Sequence, residues 1–225
     1  VTRLIAGSAG GRPLRVPERG TRPTSDRARE ALFSALLARL GSLTGRRVLD
    51  LYAGSGAVGL EALSRGAALV VLVESDPRAV RVIRENVRRI GLPGARVLAE
   101  RVERFAAGAS GVPAAGAAAG SVPAASAASA AEPPFDVVFL DPPYAVSDQA
   151  VRGVLADLAE RGVLADGALV VVERESRAGA FAWPVQVVAD TSKRYGEATL
   201  WYGRAALRDT SAARGTRRSD LDGER

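Results

Sequence analysis

From about residue 46 to residue 203, short apolar runs alternate with segments whose apolar positions recur every three or four residues. "RRVLDLY" (46–52), "ALVVLVE" (68–74), "ARVLAE" (95–100), "FDVVFLD" (135–141) and "GALVVVE" (167–173) read as strands. Between them "AVGLEALSRG", "DPRAVRVIRENVRRIG" and "DQAVRGVLADLAERGVL" read as helices, with Pro77 in a first turn and Gly66 and Gly91 as helix ends. "VQVVAD" (185–190) and "ATLWYG" (198–203) close the pattern as a hairpin. Near-continuous Val/Leu strands alternating with helices imply a mostly parallel sheet covered on both faces, to which the hairpin adds an antiparallel strand.

Three segments fall outside this pattern. Residues 1–22, with "RLIAG" and "RPLRVP" around "SAGG", suggest a small β-hairpin extension ahead of a main domain over 23–204. Residues 106–134 are rich in Ala, Gly, Ser and Pro with one charge, Glu132, and read as a disordered insertion. Residues 205–225 read as a solvated, disordered tail. The uncharged run of 26 residues at 106–131 is too poor in large apolar side chains to insert into a bilayer. With no signal pattern at the N-terminus, the expectation is a cytoplasmic protein.

Composition narrows the chemistry. The 225 residues include no cysteine, histidine or methionine, which removes disulfides, thiol nucleophiles, imidazole relays and the usual zinc sites. No carboxylate cluster suggests a metal. The net charge of +6 is unevenly placed: ten arginines against Glu18, Asp26 and Glu30 give residues 1–47 a net of +7, leaving about −1 for the rest. A basic excess confined to one end points to a polyanion contacted there. Arg22, Arg27 and Arg29 flank the start of the helix in "TRPTSDRAREALFSALLARL", whose N-cap falls at Thr24, Ser25 or Asp26. Cations in a first turn oppose the helix dipole, which makes sense where an anion arrives.

"VLDLYAGSGAVG" places Gly54-x-Gly56-x-x-Gly59 between a strand and a helix, and Glu74 ends the next strand. Glycines let backbone approach a ligand, and a carboxylate at that spacing can accept ribose hydroxyls, so a nucleoside-containing cofactor is expected. Asp50, four residues before Gly54, favours S-adenosylmethionine over NAD. A carboxylate there repels a pyrophosphate but attracts a sulfonium and an ammonium.

"FDVVFLDPPYA" (135–145) then asks why a buried strand should end in Asp141-Pro142-Pro143-Tyr144. If this strand lies beside the first, the tetrapeptide sits next to the cofactor. The prolines stop the strand and hold Asp141 and the Pro142 carbonyl outward, two acceptors suited to an exocyclic amine. Tyr144 offers a face on which a flipped base can stack. Methyl transfer from a sulfonium relies on positioning and electrostatics, so it needs no histidine. These residues do not separate guanine from adenine, since adenine-N6 enzymes use the same tetrapeptide. A non-catalytic RNA-binding assembly factor is the alternative from another class.

"RLIAGSAGGRPLRVP", "TRPTSDRAREALFSAL", "VLDLYAGSGAVGLEALSRGA", "VESD", "LDPPY" and "KRYGEATLWY" together resemble the RsmD family of class I methyltransferases, which act on guanine N2 of 16S rRNA. The resemblance implies an α/β, Rossmann-like fold with a seven-stranded, mostly parallel sheet and one antiparallel strand. It implies S-adenosylmethionine as cofactor, bound at Asp50, Tyr52, Gly54, Gly56, Glu74, Ser75 and Asp141. The adenine would meet the Val102 backbone N–H, at a place where members often carry Asp or Asn followed by Ala and this chain has Arg101-Val102. Asp141, Pro142 and Tyr144 would act in catalysis, and Arg12, Arg22, Arg27 and Arg29 would contact RNA. The implied partner is 16S rRNA or the 30S subunit, met by a monomer without metal or membrane.

Overall fold

The computed structural model describes residues 2–17, 26–108 and 133–207. Most of the predicted insertion and tail, Arg22 and the N-cap candidates Thr24 and Ser25 therefore lie outside the described residues. Seven strands form one sheet: β1 (Arg47–Leu51), β2 (Leu69–Glu74), β3 (Ala95–Ala99), β4 (Phe135–Leu140), β5 (Leu164–Glu175), β6 (Val187–Tyr195) and β7 (Ala198–Ala205), in the order β3-β2-β1-β4-β5-β7-β6. Pairings from β3 across to β5 are parallel, and β7 runs antiparallel to both neighbours, as the strand pattern implies.

Burial explains the strand composition. Val48, Val70, Leu72, Phe139 and Val171 face one side of the sheet, and Leu49, Val71, Val138, Leu140 and Val172 face the other. On the first side pack α1 (Asp26–Leu40), α2 (Ala57–Ser64) and α3 (Pro77–Ile90), through side chains such as Phe33, Leu60 and Ile83. On the second side lie α4 (Val102–Ala106) and α5 (Asp148–Glu160), through Phe105, Leu155 and Leu158. The strand order reverses between β1 and β4, so their carboxyl ends open a crevice where ligands bind in such sheets.

The helix ends follow the sequence closely. Asp76 caps α3 by accepting from the Arg78 N–H, Pro77 occupies its first turn, and Gly91 closes it in the left-handed conformation. Three boundaries need correction. Ala106, assigned to the insertion, closes α4 with no exposed surface, and Ala205, assigned to the tail, is a buried end of β7. The hairpin's first strand runs to Tyr195 rather than residue 190, because "TSKRY" is polar and pairs as an exposed edge. A register shift between Ala189 and Thr191 leaves Asp190 unpaired in the ladder, and it binds Arg39 of α1 at 2.9 Å.

The N-terminal segment is latched to the domain. Among its described residues the hairpin reduces to one antiparallel bridge, Arg3 to Pro13, flanked by Leu4 N–H to Arg12 O (2.9 Å) and Leu14 N–H to Thr2 O (2.8 Å). Fully buried Glu61 of α2 accepts from the backbone N–H groups of Ile5 (2.6 Å) and Ala6 (3.0 Å) and pairs with Arg65 (2.6 Å). The Ser64 hydroxyl accepts from Ala9 N–H (3.0 Å). Gly7 lies so close that a Cβ there would sit 1.8 Å from Ser64 O. Asn86, also fully buried, accepts from Arg15 N–H (2.9 Å) and donates to both Arg15 O (2.9 Å) and Ser55 O (3.0 Å). A single amide thus ties the N-terminal strap to the glycine turn.

Candidate active site

The turn after β1 is bent by its own backbone. Tyr52 is the one described non-glycine residue at positive φ (59°), and Gly54 and Gly56 follow at 57° and 77°. At Gly59 the helix α2 presses on the sheet: an added Cβ would stand 2.7 Å from Val70 and 3.1 Å from Asp50 Oδ2. That closeness lets Asp50 Oδ2 accept from the Gly59 N–H at 2.9 Å. Asp50 is buried, and burial, reinforced by Asp141 and Glu74, raises its carboxyl well above the usual range despite that hydrogen bond.

Glu74, at the end of β2, is fixed by three amides. Its Oε2 accepts from Gly54 N–H (2.9 Å), and its Oε1 accepts from Ser75 N–H (2.7 Å) and Asp76 N–H (2.8 Å). A carboxylate offers about four acceptor positions, so Glu74 retains room for one further donor, on Oε2. Tyr52 donates to Glu103 Oε1 (3.2 Å), and burial pushes its phenol up. Burial alone would raise Glu103, but its own backbone N–H, Arg101 (3.3 Å) and Tyr52 outweigh that and hold its carboxyl low.

β4 delivers the tetrapeptide to this place. Asp50 pairs in register with Phe139, and Asp141 N–H still reaches Leu51 O (3.4 Å) as the strand ends. Pro142 is buried, whereas Tyr144 is 61% exposed. Arg174 of β5 braces the following loop, donating to Val146 O (2.9 Å) and pairing with Asp148 (2.8 Å).

One cavity of about 1070 Å³ joins these parts. Of the sequence-predicted cofactor residues, Asp50, Tyr52, Gly54, Glu74, Ser75 and Val102 line it, while Gly56 sits behind the surface as the N-cap of α2. Asp141, Pro142 and Tyr144 line it as well. Sequence reasoning missed a second set of walls: Val16 of the strap, Ala28 of α1, Glu173 of β5 and Tyr195–Ala198 at the tip of the β6–β7 hairpin. Glu103, two residues beyond Arg101, was also missed, and its only sequence signal is an acid beside the expected adenine position.

The predicted RNA-contacting arginines divide. Arg29 has no exposed surface, and its guanidinium donates to Arg3 O, so it is a core residue rather than an RNA contact. The helical period explains this: Arg29 shares the inward face with Leu32, Phe33 and Leu36. Arg12 is exposed but donates to Ile90 O (2.7 Å), closing the C-terminus of α3. Arg27 is exposed. Lys193 and Arg194, near the hairpin tip, add exposed cations that the sequence reading did not single out. Among the described residues no group of side chains could hold a metal, and no helix is long and apolar enough to cross a membrane.

The family model described as conserved hypothetical protein 95 matches residues 2–204. The chain belongs to this family. It is 33% identical over 175 residues to YlbH of Bacillus subtilis, which carries a provisional rRNA methyltransferase name, over 77% of this chain and 82% of that protein. It is 35% identical over 143 residues to ribosomal RNA small subunit methyltransferase D of Escherichia coli, over 63% of this chain and 60% of that protein. Among solved structures, the E. coli protein yhhF, provisionally named a methyltransferase, superposes with a TM-score of 0.71 at 29% identity, covering 92% of this chain and 98% of that one. A hypothetical protein of Thermus thermophilus superposes at 0.68 with 37% identity, covering 90% and 98%. The fold is that of a Rossmann-like class I methyltransferase, and the family is one of methyltransferase enzymes.

Proposed function

We propose that the protein transfers a methyl group from S-adenosylmethionine to the exocyclic N2 of a guanine in the 16S rRNA of the small ribosomal subunit. The observation that carries this reading is that Asp141–Tyr144 and the Asp50/Gly54/Glu74 turn line one continuous cavity. The E. coli relative, a small-subunit rRNA methyltransferase by name, supports the substrate class.

The donor set fits the cofactor. Asp50, Glu74 and Asp141 place three carboxylates around the turn, close enough for the other two to raise Asp50, and a cationic ligand relieves that repulsion. When bound, the cofactor supplies an electrophilic methyl on a sulfonium. Glu74 Oε2 accepts one ribose hydroxyl while its other positions keep the turn closed. Gly54 and Gly56 let the backbone approach, Tyr52 and Ser75 wall the ribose, and Val102 presents its backbone N–H to the adenine. On the other side Asp141 and the Pro142 carbonyl accept the two amine hydrogens, and Tyr144 stacks on the base. Holding both hydrogens turns the amine lone pair out of the ring and toward the methyl. After transfer the amine gives a proton to Asp141 or to water.

RNA contact belongs to the basic N-terminal region, which we assign to residues 1–22, ahead of a methyltransferase domain over 23–205. Exposed Arg27 continues this platform, and Lys193 and Arg194 extend it at the hairpin tip. The test is labelled methyl transfer to 30S particles lacking the mark and to naked 16S rRNA, with digestion to nucleosides. N2-methylguanosine is expected; N6-methyladenosine, or no transfer to either substrate, would overturn the reading.

A further inference from the structure

The cavity of about 1070 Å³ is lined by more than the residues assigned to the cofactor, and among the remaining walls is a carboxylate, Glu173. Leu140 of β4 pairs with Val172 of β5. Asp141 and Glu173 are the next residues along the two chains, so continuing that register by one step would set them opposite each other, across strands about 4.8 Å apart. Register partners on parallel strands share a face, and Phe139 and Val171, two residues earlier, both face α1 to α3. Asp141 and Glu173 therefore lean to the same side, and both line the cavity. Beyond Glu173 the wall passes to Tyr195–Ala198 of the hairpin tip.

Two neighbouring acceptors select among bases. Guanine presents its 2-amino group and N1–H as adjacent donors, so one carboxylate can take the amine and the next the N1–H. Adenine presents its amine beside N1, which is an acceptor, and its lone pair would face a carboxylate. The Asp-Pro-Pro-Tyr segment grips an amine of either base, so discrimination has to come from whatever stands next to it. We propose that Glu173 accepts the N1–H of the target guanine and is the residue that sets guanine over adenine. This rests on the guanine-N2 reading above and adds to it the group that enforces it.

The experiment compares Glu173→Gln and Glu173→Ala with the unaltered protein. Substrates are 30S particles lacking the mark, and particles in which the guanine that the unaltered protein methylates, once its position is determined, is replaced by adenine. Readouts are kcat/KM with labelled S-adenosylmethionine, the product nucleoside, and cofactor affinity by calorimetry. Glu173→Gln should lower kcat/KM on guanine by about 10- to 100-fold, the loss of one charge-assisted hydrogen bond. It should also narrow the guanine-to-adenine preference, because a carboxamide N–H can donate to adenine N1. Glu173→Ala should lose guanine activity without that gain. Cofactor affinity should stay unchanged in both. The base preference is a ratio, so it does not depend on what fraction of a variant is folded. Unaltered guanine activity and base preference in both variants, with the unaltered protein forming N2-methylguanosine, would overturn the role of Glu173 alone. Formation of N6-methyladenosine by the unaltered protein would overturn the guanine reading together with it.

Discussion

The two halves of the cavity are built in opposite ways. The half assigned to the cofactor comes mainly from two neighbouring stretches, Asp50–Gly59 and Glu74–Asp76, and its carboxylates are held by backbone: Asp50 by Gly59, Glu74 by Gly54, Ser75 and Asp76. The half assigned to the base is assembled from Val16, Ala28, Glu173 and Tyr195–Ala198, which come from the strap, a helix, a strand and a hairpin tip. Asp141–Tyr144 stands where the halves meet. A site locked by its own turn can be rigid before anything binds. A site gathered from four elements depends on each of them staying docked, which is why Glu61, Ser64 and Asn86 spend buried polar groups on tying down the strap.

This division makes two predictions, the larger first. Asp141→Ala should lower the single-turnover rate on 30S particles by about 10²- to 10⁴-fold, the range for a group acting on the transferred proton. Cofactor affinity should fall far less, since the partner proposed for Asp141 is chiefly the target amine. An equal loss in both would show that the junction belongs to the cofactor half.

Asp50→Asn should act the other way, weakening cofactor binding by about 1.5–3 kcal/mol, the worth of a hydrogen bond to a charged group, with turnover at saturating cofactor much less affected. Its pH behaviour is specific. Because the folded-state pKa of Asp50 is raised, its contribution to stability is fully present below the unfolded value near 3.9. That contribution is lost as pH rises through the folded value. The stability of the unaltered protein relative to Asp50→Asn should therefore decline with rising pH in the absence of cofactor. Saturating S-adenosylmethionine should remove the decline, and thermal melts over a pH series with and without cofactor measure it. A constant difference would mean that Asp50 is not the group being desolvated.

The same contrast explains what the sequence made legible. Gly54, Gly56, Glu74 and Asp141–Tyr144 could be read because local spacing fixes their geometry: a turn and two strand ends. Glu173 ends an apolar run and looks like any acid at a strand end; only the fold brings it to the cavity that Asp141 also lines, one residue past the Leu140–Val172 pair. Tyr195 and Glu197 were hidden because β6 continues through polar "TSKRY", where no alternation of apolar residues marks a strand. Arg29 misled for a physical reason as well. Its charge counted toward the basic N-terminus, but the three-and-four period of α1 turns it inward against the strap. Asn86 and Glu61 are polar residues on otherwise buried helix faces, and that mismatch was the one signal that the N-terminal segment docks rather than hangs free.

The central claim is that one half of the cavity holds the cofactor and leaves the other for the base. A crystal structure with S-adenosylhomocysteine tests it most directly. The account predicts the ribose at Glu74 Oε2, the adenine against Val102, the thioether facing Asp141, and no contact with Glu173 or Tyr195–Ala198. A ligand lying across Tyr144, Glu173 and the hairpin tip, with Glu74 untouched, would contradict it.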